Sequence, residues 1–267
     1  MATFSSKLPH PILTGLAFAL AVPALPAIAN HSWSTYHWAR STAELTVPVF
    51  YNVDATWRPY FNQAVADWNN STVIGSPALA GSINPKTCKA VAGTIQVCNA
   101  AYGRTGWLGI ASIWISNGHI SQGTTKLNDT YFASVQYSNP SWRALVTCQE
   151  IGHNYGLGHQ DENFNTDSTN SCMDYTNNPS GNEHPDAHDY EQLLAIYNHL
   201  EVAAASVVGA ASIGQETGDT PAEWGRPVHF DSQGRPDYFE HIDAPGRKKL
   251  THVFWAVGEG PRGNRPE

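Results

Sequence analysis

Charge is scarce in this chain. Only 14% of its 267 residues are Asp, Glu, Lys or Arg, and the formal balance is −8. Long apolar runs are scarce too, internal repeats are absent, and no regular alternation of strand and helix patterns runs through the sequence. Each lack excludes something. With 41% hydrophobic residues and nine Trp, so few charges exclude an intrinsically disordered chain. Without a basic excess, a general nucleic-acid binder is excluded, because that function needs a cationic face. No run past residue 29 is long and apolar enough to span a bilayer, so no membrane role is expected. The weakly apolar stretch Val202–Ile213 reads as a linker or a helix end. What is abundant is Gly, Asn, Ser, Thr and aromatic rings, which fits a secreted, loop-rich protein. The four Cys are an even number, compatible with two disulfides in an oxidising compartment.

The N-terminus supports that compartment. Lys7 and His10 precede the apolar run Ile12–Val22, followed by Pro23, Pro26 and the small-residue site Ala27-Ile28-Ala29. This is the layout of a secretory leader over residues 1–29. The run is shorter than the roughly 20 residues a membrane anchor needs.

Residues 30–202 read as one domain. Glu44–Val53 alternates as a strand, and Asp54 can cap a helix over Thr56–Asn69, in which Phe61, Ala64, Val65 and Trp68 share a face. Thr94–Ala101, Trp107–Ser116 and Thr124–Asn128 read as strands around Ser-, Gly- and Pro-rich loops. Asn139-Pro140 opens a helix that runs to about Asn154. A polar loop follows, and Asp186 caps a last helix, Ala187–Leu200. Residues 203–222 read as a linker. Residues 223–267 read as a small β-rich extension, with strands at Asp237–His241 and Leu250–Ala256. Several strands after one helix, without βαβ order, imply an α+β fold.

The chemistry-bearing segment is Cys148–Glu162, CQEIGHNYGLGHQDE. Against H-E-x-x-H-x-x-G-x-x-H, Glu150, His153, Gly156 and His159 match, while Gln149 stands where the first histidine belongs. Positions four apart on a helix share a face, so Gln149 and His153 can aim at one ion. Glu150 beside them can reach a metal-activated water as general base. Gly156 permits the positive φ angle that swings His159 back to the same point. Two imidazoles with a third ligand leave one position open, the arrangement of a catalytic zinc site. Met173 follows in Ser171-Cys172-Met173-Asp174-Tyr175.

Together the two segments resemble the metzincin metallopeptidases, most closely the matrixin-like branch. The likeness covers roughly Glu44 to Leu200, with its strong motifs confined to Gln149–Tyr175. It implies a twisted mixed sheet with an N-terminal helix, an active-site helix, a Met-turn and a C-terminal helix. It implies one catalytic Zn2+ held by His153, His159 and Gln149, with Glu150 as base. Met173 would form a hydrophobic floor beneath the metal, and the Tyr175 hydroxyl would stabilise the oxyanion. The Asp- and Asn-rich stretch 161–178 is a candidate Ca2+ loop, but it lacks regular ligand spacing. Cys88 and Cys98 are expected to pair. In the implied fold Cys148 and Cys172 are neighbours and would form the second disulfide. The alternative is Cys148 as a thiolate ligand, although it lies about 100° around the helix from Gln149.

An amide oxygen is a poorer zinc ligand than an imidazole. Three readings follow: Gln149 ligates weakly or water fills its place, Asp161 supplies the third ligand, or the site has lost its metal. The other histidines read as bystanders: His184, His188 and His199 as exposed or capping groups, and His119 as an edge-strand residue. The reading is a secreted, monomeric zinc endopeptidase acting on proteins or peptides. The gap between Ala29 and Glu44 is too short for the usual prodomain. The rivals are an inactive protein of the same fold that binds extended peptides, and a hydrolase of some non-peptide amide.

Overall fold

A computed structural model of the chain describes residues 1, 31–165, 170–201, 218–244 and 246–261. Apart from Met1, the expected leader lies outside these residues, as do positions 203–217 of the expected linker. Among the described residues no helix is long and apolar enough to cross a membrane.

Among the described residues nine strands form one sheet: β1 (His37–Trp38), β2 (Val49–Asn52), β3 (Ala78–Ala80), β4 (Ile95–Ala100), β5 (Trp107–Ser116), β6 (His119–Asn128), β7 (Arg226–Phe230), β8 (Pro236–Ala244) and β9 (Arg247–Trp255). Their order is β3-β2-β4-β6-β5-β9-β8-β7, with β1 pairing the start of β6. The first part is parallel (β3 on β2, β2 on β4, β4 on β6), and everything from β6 through β5 to β7 is antiparallel. The result is a mixed sheet with few helices, as the α+β reading expects.

The β-rich C-terminal extension joins the main sheet through β9. That strand pairs with β5 from Trp107↔Trp255 to Ser116↔Arg247, so the tail continues the main sheet. The reason shows in β5 itself. Its WLGIASIWIS run is buried at nearly every position, which means that both its faces are covered. Leu108, Ala111, Ile113 and Ile115 enter the main core. Trp107 and Ile110 enter a second cluster with Trp224, Phe239, Val253 and Trp255, all supplied by the tail. Without β9 this hydrophobic strand would be left as an unpaired edge.

The helix that carries the motif, α3 (Pro140–Asn154), lies across β5 and β6. The Asn139 side chain accepts the Ser141 N–H, and Pro140 occupies the first turn, as the sequence expects. Between α1 (Arg58–Trp68) and α3, Trp68 is fully buried and its indole N–H donates to the Cys148 carbonyl at 3.0 Å. Below α3 the sheet has Gly109. A Cβ there would stand 2.6 Å from Val146 Cγ1 and 2.9 Å from Glu150 Cγ, so only a bare backbone lets the helix settle this close. The short α2 (Asp129–Phe132) and a 3-10 turn at Val135–Tyr137 lead into α3. After it, α4 (Ala187–Ile196) opens on a capping box of Asp186 and Asp189, and α5 (Pro221–Trp224) precedes β7. Both expected disulfides are formed, Cys88–Cys98 and Cys148–Cys172. The thiolate alternative for Cys148 is thereby removed.

Gly109→Ala is expected to push α3 away from β5 and to lower stability by about 1–3 kcal/mol, the usual cost of overpacking. The shift in the urea midpoint checks this.

Candidate metal centre

The last turns of α3 set Gln149, Glu150 and His153 against the sheet, all fully buried. The helix stops at Gly156, whose φ is 92°. A Cβ there would also lie 2.6 Å from the Tyr36 carbonyl oxygen. The chain then returns His159 to His153, with the rings edge-on at 4.8 Å. These two imidazoles meet as the spacing expects.

Gln149 does not turn toward them with its amide nitrogen. Its Nε2 donates to the Cys172 and Asp174 carbonyls at 2.8 and 3.0 Å, and its Oε1 is buried without a hydrogen-bond partner. The side chain thus pins the turn that carries Met173. The Cys148–Cys172 bond reinforces the same junction. Met173 packs under the helix, where a Cβ on Gly152 would come 2.7 Å from its sulfur. The segment after His159 runs beside this turn, with Gln160 N–H on the Met173 carbonyl and Tyr175 N–H on the Asp161 carbonyl. Tyr175 stacks on Phe164 and lies 4.0 Å from the His159 ring, and its hydroxyl donates to Asp237. In the stretch 161–178, the Asp161 and Asn163 side chains accept backbone N–H groups two residues on.

The third imidazole comes from β9. His252, opposite Ala111 on β5 and Tyr238 on β8, is fully buried, with its ring 4.0 Å from His153 and 4.8 Å from His159. One ring nitrogen of each of His153, His159 and His252 falls within 4.8 Å of the others. In all three rings Nε2 is buried and has no hydrogen-bond partner. Each Nδ1 is anchored instead: His153 to the Leu157 carbonyl at 2.8 Å, His159 to the Tyr238 hydroxyl at 3.0 Å, and His252 to both Glu150 oxygens at 3.0 and 3.1 Å. Three unpartnered buried Nε2 atoms, each on a ring anchored through Nδ1, form a group that could hold a metal cation.

The electrostatics agree. Burial holds His153 down at about 3, and with its neighbouring imidazoles it pushes His159 well below the usual histidine range. Burial also lowers His252 to about 3 and raises Glu150 to about 8. Neutral imidazole is the ligating form. Trp33 stacks on His153, their planes 15° apart. On the His159 side a cavity of about 380 Å³ opens, walled by His31, Trp33, Glu162, Val228, His229 and Tyr238 among others. His229 Nδ1 bonds Asp237 at 2.8 Å, and that bond raises its pKa.

Sequence reasoning missed His252, Trp33, His229, Asp237 and Tyr238. The one available signal was His252 itself, an ionisable residue beside Thr251 in the otherwise apolar strand pattern Leu250–Ala256.

No protein-family profile matches the chain, and no curated protein matches it. Among solved structures it is similar to high choriolytic enzyme 1, a hatching-enzyme zinc protease of the medaka fish Oryzias latipes. The TM-score is 0.33 and the identity 12%, over 61% of this chain and 94% of that one. So loose a likeness adds nothing about the chemistry.

Gln149→Ala is expected to leave two buried carbonyls unpaired and to cost about 1–3 kcal/mol, read as a lowered urea midpoint. A second outcome concerns acid. The unfolded chain takes up imidazole protons below about 6.5, whereas folded His153 resists them down to about 3. His159, His252 and His31 act in the same direction, while the raised Glu150, Asp189, Asp129 and Glu162 carboxyls and the raised His229 oppose them. The buried imidazoles thus make the metal-free chain lose stability as pH drops from about 6.5 toward 3, because the unfolded state binds the extra protons. Urea melts in chelator across that range measure it.

Proposed function

We propose that the chain is a secreted, zinc-dependent endopeptidase of metzincin type, with His153, His159 and His252 as its metal ligands. The observation that carries this reading is the set of three buried, partnerless Nε2 atoms beside an open cavity. Three imidazoles suit zinc, and a three-ligand set leaves a position for chemistry. Zinc bound there would polarise a carbonyl and lower the pKa of water. The likeness of Glu150–Tyr175 to metzincins supports a peptide substrate, and the cavity supplies room for it. In this reading the expected role of Gln149 as ligand passes to His252, and Gln149 pins the Met-turn.

Two further roles move. Glu150 is fully buried with both oxygens on His252 Nδ1, so it orients a ligand instead of serving as base. The proton acceptor is Glu162, a carboxylate on the cavity wall whose pKa is raised by burial. It takes the proton of the attacking water and returns it to the leaving amine. Tyr175 holds Asp237, and the Asp237 bond raises the pKa of His229 at the cavity wall, which favours the charged form as a partner for a developing oxyanion.

Chelation is expected to abolish cleavage of an unfolded protein substrate, and added Zn2+ to restore it. Glu162→Gln should lower kcat by about 100-fold with zinc content intact. Glu150→Gln should instead weaken zinc binding by about 10- to 100-fold. If zinc-loaded wild type binds peptides but cuts none, the peptidase reading fails and the peptide-binding rival replaces it.

A further inference from the structure

A second group of histidines, which the motif does not touch, meets elsewhere in the fold. His37 and His119 are register partners on β1 and β6, and His199 and Glu201 follow α4. Their polar atoms converge on one carboxylate oxygen. Glu201 Oε1 is 2.7 Å from His119 Nε2, 3.0 Å from His37 Nε2 and 3.7 Å from His199 Nε2. The Nε2 atoms of His37 and His199 are 3.3 Å apart. Glu201 Oε2 is buried with no hydrogen-bond partner.

Hydrogen bonds from His119 to Glu201 and between His199 and His37 account for part of this cluster, and leave the 3.0 Å contact of His37 Nε2 with Glu201 unexplained in the neutral rings. His37 Nδ1 lies 2.7 Å from the Thr35 carbonyl oxygen, which can only accept, so Nδ1 carries the hydrogen. In the neutral ring the His37 Nε2 is then a bare lone pair. It faces a carboxylate oxygen and another imidazole nitrogen, an arrangement that is repulsive until a cation enters. An Nδ1–H held by a backbone carbonyl, with Nε2 turned inward, is also how metal-ligating histidines are commonly oriented. The donor atoms of His37, His199 and Glu201 all lie within 4.8 Å of one another, a set suited to a borderline cation, and His119 adds an imidazole on the same Glu201 oxygen.

We propose that His37, His119, His199 and Glu201 bind a second, structural metal ion of the zinc class, independent of the first centre. It ties three stretches together: the N-terminal segment, the β5–β6 hairpin and the chain leaving α4. The N-terminal segment gives the sheet only the two-residue β1, and otherwise rests on backbone bonds to Gly156 and Gly158 and on the buried Trp33 and Trp38. That segment carries Trp33, which stacks on His153, and His31, Ser32, Ser34 and Tyr36, which wall the cavity. The second ion thus fixes one wall of the first site.

Metal content of the full chain, stripped with chelator, reloaded with Zn2+ and dialysed, tests the proposal. Wild type is expected to retain about two zinc per chain, and Glu201→Gln or His199→Ala about one. His252→Ala should also retain about one, from this cluster. His199 is 47% exposed, so its removal leaves the core intact. Should His252→Ala fail to fold, Co2+ titration of wild type against Glu201→Gln gives the same answer through loss of one set of visible absorption bands. Unchanged zinc content in both Glu201→Gln and His199→Ala, the mark of a cluster that binds protons only, overturns the proposal. So does a wild type that holds a single zinc and loses it in His252→Ala. A single zinc lost in His199→Ala but kept in His252→Ala supports this site and overturns the first.

Discussion

The convergence of three buried imidazoles is the constraint on which the remaining structure hangs. Burying three partnerless acceptors is costly unless a cation takes them up, and every nearby element serves to aim them. α3 supplies His153, and the turn at Gly156 returns His159. β9 supplies His252 from a hundred residues downstream. Each ring is fixed through its other nitrogen, by a backbone carbonyl, a tyrosine hydroxyl and a carboxylate. Because Glu150 and His252 hold one another, the helix and the C-terminal strand are locked into one register.

That lock explains the departure at position 149. With His252 in place, a histidine on α3 one turn before His153 is not needed to complete the set. The residue there is free for another task, and the Gln149 amide takes it up by holding two carbonyls of the Met173 turn. The Cys148–Cys172 bond sits at the adjacent residue on each side. Support that a metal–histidine bond would give this junction comes here from an amide and a disulfide.

Legibility varied with the range of the signal. The α3 cap, the Gly156 turn, the meeting of His153 with His159 and the pairing of Cys88 with Cys98 follow from residues close in sequence, where spacing translates directly into geometry. β3 and β7 were not read. The one is three exposed residues, and the other contains Pro227, so neither shows strand alternation. The tail was read as strands but not as part of the sheet, because nothing in a strand's own residues names its neighbour. The His119 and His199 pair was set aside for a similar reason. Each looks like a surface histidine until the fold places both around Glu201.

The sequence alone determined the helix, its two histidines and the glycine turn, since these obey local periodicity and backbone sterics, whereas the Met173 turn and its disulfide were expected from the resemblance. Only the tertiary structure decided which third imidazole meets the pair, which carboxylate faces the cavity and which bonds a histidine ring. Those choices depend on the register of β9 against β5, a contact between segments more than a hundred residues apart. Register is set by the packing of both faces of β5 at once, and no local pattern encodes it.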